Sequence, residues 1–242
     1  MLDCKKTKVK MGALNLNNKY DSVLHYNLAF IGGFLGIYCI LQRSDFLGAA
    51  QTSNMIYLVS HLLGKDYIDV LLRAGAMILY AFSISLTVLI PAKTTINIKT
   101  LSILIDAAAV GIMGVMPDKM NAVLGLYPVF FAMAFQWNTF KGAKGYISSS
   151  LFSTNNLRQF SISLTNFVMT KKEEHLDRAK FYGCTLLSFH IGVAFSYVVW
   201  KIFFVHSVWF CFVPVISAFI VNFFNGEAEN LFICHEEMKQ AV

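Results

Sequence analysis

The sequence predicts an all-α fold, a polytopic bundle of transmembrane helices built from two related halves. Hydrophobic residues make up 56% of the 242 residues and charged residues only 14%, whereas a soluble domain carries about 25% charged residues. Six apolar runs are long enough to cross a bilayer as helices, which takes about 20 residues each. A polar motif recurs at a spacing of 102 residues. Composition, run length and repetition therefore point to the same class of fold.

The six strong apolar runs follow a polar tail of residues 1–24, which carries five lysines and is expected to stay in the cytoplasm. Backbone groups in hydrocarbon must bond to each other, so each run is expected to be helical. A second polar tail, residues 226–242, closes the chain. The runs cover residues 25–41, 69–91, 99–116, 121–140, 180–205 and 207–225.

Two further segments, residues 46–64 and 146–168, are apolar enough to enter the membrane, yet each carries a cluster of amides and hydroxyls. The second also holds Arg158. A charged side chain facing lipid at mid-depth costs at least about 2.5 kcal/mol on insertion scales, so Arg158 is expected to face protein, water or the interface. The two segments are expected to be polar, broken membrane helices that carry the function.

The polar clusters are related by an internal repeat. A shift of 102 residues superposes Thr52 on Thr154 and Asn54 on Asn156. Each cluster follows a glycine-containing apolar helix and precedes an amphipathic stretch, a charged loop (residues 65–73 and 171–180) and two apolar spans. The transmembrane domain, residues 25–225, is therefore expected to consist of repeat A, about 25–117, and repeat B, about 120–225. Repeated halves are common in transporters, which place substrate sites where the repeats meet.

The number of crossings stays open between six and eight. With six, fourteen lysines and arginines lie inside and five outside; with eight, thirteen lie inside and six outside. Charge bias therefore does not decide between them. Three spans per half make the repeats inverted and four make them parallel. The inverted arrangement is preferred, because in every pair of equivalent loops the loop richer in lysine and arginine then falls inside.

The candidate solute-binding residues are the polar side chains of these segments together with two amides near the end of the 121–140 run. Left without partners in hydrocarbon, such groups would cost several kcal/mol. We expect them to face a central cavity and bind a small polar or anionic solute, with Arg158 as the fixed charge; alternatively they join or cap helices. The set is Gln51, Thr52, Asn54, Gln136, Asn138, Thr154, Asn155, Asn156 and Arg158.

Asp106 is the one acid well inside a strong apolar run. Acids within the membrane are candidates for a proton or cation relay. The position lies about one turn after the predicted start of its helix, so an interfacial aspartate is the competing interpretation. The glycines Gly32, Gly33 and Gly36 in the first run are expected to allow helices to approach closely.

Several function classes are not expected. The net charge is +6, but the basic residues lie mostly between apolar runs, where they set orientation, so membrane lipids rather than nucleic acid are the expected partner. The five scattered cysteines form no CxxC pair and are expected to be buried thiols, not disulfides or metal ligands. No enzyme, phosphate-binding or cofactor motif is present. The expectation is a protein without catalytic activity, metal or cofactor.

Two stretches, IGGFLGIYCILQRSDFLGAAQTSNMIYL and FAMAFQWNTFKGAKGYISSSLFSTNNLRQF, resemble the YoaK-like family of uncharacterised bacterial multi-pass membrane proteins. The family pattern is GGxxDA…AQTGNxxxL…GxQN…TxxTGNLxxL, and the resemblance covers about residues 25–225. It implies a bacterial cytoplasmic membrane location and a polytopic helical fold, but no biochemical activity. Gly36 replaces a family acid, Ser53 and Asn155 replace two motif glycines, and Trp137 replaces an Asn. The missing acid removes the basis for a proton-coupled role at position 36.

The leading hypothesis is a transporter or permease for a small polar or anionic solute, with the two polar clusters facing one cavity. The alternative is a membrane helper or scaffold protein whose polar clusters serve only helix packing. The two differ in a testable way, because a scaffold leaves no cavity between fully bonded side chains, whereas a transporter needs one.

Overall fold

The computed structural model describes the backbone of residues 2–42, 51–117 and 119–240 and the side chains of residues 19–42, 51–117 and 119–226. This part of the chain is almost entirely helical, which confirms the all-α prediction. Its elements are α1 (Leu2–Gln42), α2 (Gln51–Leu63), α3 (Tyr67–Lys93), α4 (Ile98–Val115), a 3₁₀ turn (Leu124–Leu126), α5 (Tyr127–Thr139), strands β1 (Gly142–Ala143) and β2 (Tyr146–Ile147), α6 (Ser153–Thr170), α7 (Glu173–Phe203), a 3₁₀ segment (Phe204–Cys211) and α8 (Phe212–Gln240).

Among the described residues, four stretches are long and apolar enough to cross a membrane, which indicates a membrane-embedded protein. The last of them joins α7, the 3₁₀ segment and α8. The stretches are Lys19–Gln42, Tyr67–Lys93, Ile98–Val115 and Glu173–Gly226.

The run predicted at residues 121–140 forms a shorter helix than expected, because α5 has only 13 residues. The Asn121 side chain accepts hydrogen bonds from the backbone N–H groups of Val123 and Leu124, at 2.9 and 3.2 Å, and so holds a turn where the helix was expected to begin. Pro128 then stands in the first turn of α5, where its missing N–H costs nothing.

The two segments predicted as charged loops are mostly the beginnings of helices. Asp66 caps α3 by accepting a hydrogen bond from the backbone N–H of Asp69, so the helix starts at Tyr67 and includes Arg73. In the second half α7 starts at Glu173. The connections are therefore short turns, in which Lys65 and Lys171 have positive φ angles of 63° and 56°.

The cysteines are only partly as predicted. Cys39 and Cys211 are buried, but Cys184 is exposed on α7. The side chains of Cys4 and Cys234, like residues 46–50 of the first polar segment, lie outside the described residues.

The core of the bundle is centred on α1 and α5. Helix α1 packs on α7 and α8, whereas α5 packs on α3 and α4. Phe34 of α1 and Phe130 and Phe135 of α5 are fully buried. Helices α2 and α6 contact α3 and α7 respectively, and α4 also contacts α8. The outer faces carry many exposed large apolar side chains, as expected for helices that meet lipid.

Helices α1 and α7 run in the same direction. Near the start of the membrane part of α1, the His25 ring stacks on the Phe181 ring near the start of α7, with centroids 5.5 Å apart. Near the ends of both helices, the Trp200 indole donates to the Gln42 side chain at 3.1 Å. At mid-length the helices touch through backbone, because a Cβ on Gly33 would overlap the Phe189 carbonyl oxygen and a Cβ on Gly192 would overlap that of Phe30. This agrees with the close approach predicted at Gly33.

Helices α3 and α5 also run in the same direction, because Tyr127 donates to the Leu72 carbonyl at 2.7 Å and Asn138 donates to Thr87 at 2.5 Å. The end of the apolar part of α8 lies beside the start of the membrane part of α1, where Asn225 donates to Asp21 at 2.9 Å. One end of the bundle, here called the hairpin end, thus gathers the starts of the membrane part of α1, of α4 and of α7, the ends of α3 and α5, and the β1–β2 hairpin.

Candidate functional site

A cavity of about 400 Å³ lies at the hairpin end, where the chain leaves the helical conformation between α5 and α6. Its wall combines polar side chains with three apolar ones. The lining residues are Trp137, Asn138, Lys141, Ile147, Ser148, Ser149, Phe152 and Asn155.

The β1–β2 hairpin brings the chain back to form this wall. Ala143 pairs with Tyr146 across a two-residue turn, Lys144-Gly145, in which both φ angles are positive, at 56° and 75°. Turns of this kind match the twist of a hairpin and favour glycine at the second position. The Ser148 backbone N–H then donates to the Lys141 carbonyl at 3.0 Å, which holds the chain beside the end of α5. Residues 148–152, which follow, are not helical.

A buried chain of hydrogen bonds fixes this segment from behind. His25 Nε2 lies 2.9 Å from Ser148 Oγ, Ser148 donates to Asn156 Oδ1 at 2.9 Å, and Asn156 Nδ2 donates to the Ser149 carbonyl at 2.6 Å. Ser148 has a single hydroxyl hydrogen, which goes to Asn156, so His25 must be the donor in the first bond. The chain therefore requires the Nε2–H tautomer of His25 and ties α1 to α6.

Gln136 holds Ser150, the residue after Ser149, by side-chain hydrogen bonds in a similar way. It is fully buried on α5, and its Nε2 donates to Ser150 Oγ at 2.7 Å and to the Leu28 carbonyl at 3.4 Å. Its Oε1 has no hydrogen-bond partner within the described part of the chain. Gln136 thus links α5, α1 and the non-helical segment of residues 148–152.

The first polar cluster lies at the opposite end of the bundle and does not line this cavity. Asn54 is fully buried, and its Nδ2 donates to Gln51 Oε1 at 3.0 Å and to the Arg73 carbonyl at 3.1 Å. Asn54 therefore joins α2 to α3, as Asn156 joins α6 to the segment before it.

Charged residues surround Asn54. The Arg73 guanidinium bonds to the Asp69 carboxylate one turn earlier in α3 and lies 4.8 Å from the centre of the Tyr57 ring. His61 Nε2 lies 3.0 Å from the same carboxylate and His61 Nδ1 lies 3.5 Å from Asp66. None of these ionisable groups was a sequence-based candidate, because residues 65–73 were expected to form a loop and His61 was taken as an isolated histidine.

The predicted solute-binding residues fall into three classes of exposure. Asn54, Gln136 and Asn156 are buried, Gln51, Asn138 and Asn155 are half-buried, and Thr52, Thr154 and Arg158 are exposed.

The cavity brings only part of this set together. Asn138 and Asn155 line it, whereas Asn156 bonds to the wall residue Ser148 from behind and Gln136 bonds to Ser150, which follows the wall residue Ser149. Gln51, Thr52, Asn54 and Thr154 do not line it. Arg158 is outside the lining and donates to Asn155 Oδ1 at 3.3 Å. The cation that lines the cavity is Lys141, which the sequence-based reasoning used only as a marker of orientation.

Asp106 lies more than two turns into α4, which begins at Ile98, and its side chain is fully buried. Helix α4 begins one residue before the predicted run, so Asp106 stands about two turns from its start, and neighbouring helices cover the side chain. The interpretation as an interfacial aspartate stays a prediction. Within the described residues neither carboxylate oxygen has a hydrogen-bond partner, nor has Ser102 Oγ one turn earlier. A carboxyl group in such a place needs a proton or a cation, so the role as a relay stays a prediction.

The described residues contain no group of three or more His, Cys, Asp or Glu side chains that could hold a metal ion. Comparison with known proteins gives one match, to the family model "Protein of unknown function (DUF1275)", over residues 24–221. No curated protein and no solved structure matches the chain. Because the matched residues include every element from the membrane part of α1 to most of the apolar part of α8, the chain belongs to this family of proteins of unknown function.

Proposed function

We propose that the protein is a transporter or permease for a small polar or anionic solute, which binds in the cavity at the hairpin end. The observation that carries this proposal is a cavity of about 400 Å³ formed where the membrane helices are interrupted and walled by buried polar side chains. Transporters commonly build substrate sites from interrupted helices whose irregular backbone lines a cavity.

An inverted two-fold arrangement of the halves accompanies the proposal. If α1–α4 are exchanged with α5–α8, the pair α1–α7 becomes α5–α3, α1–α8 becomes α5–α4, and α2–α3 becomes α6–α7, and all six contacts are present. Helix α1 leads away from the hairpin end while α5 leads towards it, which is the relation expected of inverted repeats. We infer six crossings, by α1, α3, α4, α5, α7 and α8, with α2 and α6 as partial membrane helices.

The hairpin end is inferred to face the cytoplasm. With Arg158 set aside, the described residues place nine lysines and arginines there and four at the opposite end, and such an excess marks the cytoplasmic side. The N-terminus is then cytoplasmic, in the cell membrane of a bacterium as the YoaK-like pattern implies. The nine are Lys19, Lys93, Lys99, Lys141, Lys144, Lys171, Lys172, Arg178 and Lys180, and the four are Lys65, Arg73, Lys119 and Lys201.

A non-transporting scaffold is the second candidate, and one observation favours it. Asn54 and Asn156 each donate to a backbone carbonyl of the neighbouring element, of Arg73 and Ser149 respectively. Such bonds serve helix packing. The cavity in front of Ser149 favours transport, because a pure packing role requires no space beside the bonded groups.

The first test is a thermal-unfolding screen of the purified protein against small metabolites, followed by flux measurements in proteoliposomes with any stabilising solute. A ligand at a hundred times its dissociation constant adds about 2.7 kcal/mol of stability. Asn155→Ala, in the cavity, is expected to reduce both stabilisation and flux. Ser53→Ala, at the equivalent position of the first half, is the matched control and should change neither. Transport is contradicted if no solute stabilises the protein or crosses the membrane, or if both variants behave alike.

A further inference from the structure

Three backbone carbonyl groups of the cavity wall already have donors. The Tyr182 hydroxyl donates to the Ile147 carbonyl at 2.8 Å, Asn156 to the Ser149 carbonyl at 2.6 Å, and the Ser148 N–H to the Lys141 carbonyl at 3.0 Å. A solute that needs acceptors therefore finds few of them in the non-helical part of the wall.

The two serines of the wall differ in what they have left to offer. Ser149 Oγ accepts from the backbone N–H groups of Leu151 and Phe152, at 3.2 and 3.1 Å, so its hydroxyl hydrogen remains available as a donor. Ser149 is only 8% exposed, and that exposure is to the cavity. Ser148 has given its hydrogen to Asn156 and accepts from His25, which leaves one lone pair.

The two asparagines of the lining divide in the same way. Asn155 Oδ1 accepts from Arg158, which leaves the two N–H groups of Asn155 as donors. Asn138 uses its Nδ2 to reach Thr87, which leaves its Oδ1 as an acceptor. Among the side chains of the lining, the free acceptors are thus Asn138 Oδ1 and one lone pair of Ser148.

The charge of the lining is positive. Lys141 lines the cavity, no carboxylate among the described residues pairs with it, and no aspartate or glutamate belongs to the lining. Helix α6 also begins at Ser153 beside the cavity, and its cap residue Phe152 supplies no side-chain hydrogen bond to the first turn. The partial positive charge of that helix start adds to the charge of the lysine.

The remaining lining is apolar. The Trp137 and Phe152 rings meet edge to face with centroids 5.4 Å apart, and Ile147, which is 77% exposed, lies beside them. Inorganic anions leave such a surface unused, whereas an organic anion can cover it. A cavity of about 400 Å³ also falls in the size range of small-molecule sites.

We infer that the solute is a small organic carboxylate, whose oxygens accept from the Ser149 hydroxyl, the Asn155 amide and the Lys141 ammonium group, and whose apolar part packs against Trp137 and Phe152. This inference rests on the proposed transport function and adds the chemical class of the solute. It also assigns Lys141 the role of anion ligand that the sequence-based hypothesis gave to Arg158.

The test compares carboxylates with their uncharged amides in thermal unfolding of the full chain in detergent. The probes are benzoate, cyclohexanecarboxylate and hexanoate, the three corresponding amides, and inorganic phosphate. We expect a saturable rise in unfolding temperature with at least one carboxylate, and no rise with its amide or with phosphate at the same concentration.

Two exposed lysines of the same hairpin supply a matched pair of variants. Lys141→Gln is expected to weaken carboxylate binding about tenfold or more, because it removes a charge-assisted hydrogen bond, and Lys141→Arg should retain binding. Lys144→Gln makes the same change in charge outside this cavity and should leave the affinity unaltered. Both positions are solvent-exposed, so the variants are expected to fold.

The outcomes separate this inference from the proposed function. If amides stabilise the protein as well as carboxylates, or phosphate does so better, the inference is overturned and the cavity remains a solute site. It is also overturned if no carboxylate binds, or if Lys144→Gln weakens binding as much as Lys141→Gln does. The proposed function fails separately, if no solute of any class is carried into proteoliposomes.

Discussion

The two ends of the bundle carry equivalent polar corners that have been completed in different ways. In the first, Asn54 joins α2 to the Arg73 carbonyl and lies among the charged side chains of α3. In the second, Asn156 joins α6 to the Ser149 carbonyl and lies among neutral groups, with His25 behind it. In both corners the asparagine donates to a backbone carbonyl of a neighbouring element, but only the second corner opens onto the polar cavity described above.

The third helix of each half extends the comparison. Arg73 of α3 lies over the Tyr57 ring, and Arg178 of α7 donates to Gln159 at 2.9 Å. Tyr57 and Gln159 each stand three positions after the matched asparagine. Under the proposed function, an ion pair closes the first corner, whereas the second keeps space for a solute.

The largest expected effect comes from breaking the α1–α7 crossing, which supports the second corner. Gly192→Ala places a methyl group against the Phe30 carbonyl, and we expect a loss of about 3 kcal/mol in unfolding free energy, or no folded protein. Gly183→Ala on the same helix meets only the Phe160 side chain, at 3.1 Å, which can rotate away. Thermal unfolding of both variants tests this, and equal losses would show that the crossing is not a backbone contact.

A second prediction compares the asparagines directly. Asn156→Ala leaves the Ser148 hydroxyl hydrogen without its acceptor and the Ser149 carbonyl without its side-chain donor, and should cost about 2–3 kcal/mol. Asn54→Ala leaves the Arg73 carbonyl without one donor and should cost about 1 kcal/mol. Chemical unfolding of the two single variants measures the difference. A larger loss for Asn54→Ala would reverse the assignment of the second corner as the more extensively bonded one.

The third prediction concerns the charged corner. A double-mutant cycle with Asp69→Asn and Arg73→Gln should give a coupling of about 1 kcal/mol, because the pair is close but not fully buried. The coupling should shrink as salt is added, since partly exposed charges are screened. Measuring unfolding at low and high salt checks both statements. A coupling near zero would mean that the first corner is closed by packing alone.

The smallest effect on stability is expected at Asp106, which belongs to neither corner. Asp106→Asn exchanges one buried polar group for another of the same shape, and neither has a hydrogen-bond partner within the described residues, so the unfolding free energy should change by less than about 1 kcal/mol. If Asp106 relays protons, solute flux in proteoliposomes should lose its response to a proton gradient while downhill flux persists. An unaltered response in the variant would remove Asp106 from the relay.

The features that depend on local composition could be predicted from the sequence. Apolar runs and the lack of charge were sufficient for the helical membrane fold, and the matched positions of Asn54 and Asn156 were visible because amides are rare in such runs. Both proved to be buried. Their different surroundings could not be predicted, because the bonds to the Arg73 and Ser149 carbonyls depend on how neighbouring elements pack and not on local composition.

His25 illustrates the limit. A single histidine at the start of an apolar run has no local signal, and its partner Ser148 lies 123 positions away. Arg73 was missed for another reason. Residues 65–73 were expected to form a charged loop, but the pairing of Arg73 with Asp69 allows both residues to belong to α3. Lys141 was overlooked because a lysine between apolar runs usually reports only orientation.

The glycine contacts between α1 and α7 have a mechanical consequence. The Phe30 and Phe189 carbonyl oxygens occupy the places of the missing side chains, so the two helices are in close backbone contact. If the protein transports a solute as proposed, we expect opening and closing to move these two helices as one pair. The bending would fall to the stretches on either side that lack α-helical bonds, residues 148–152 and the 3₁₀ segment Phe204–Cys211.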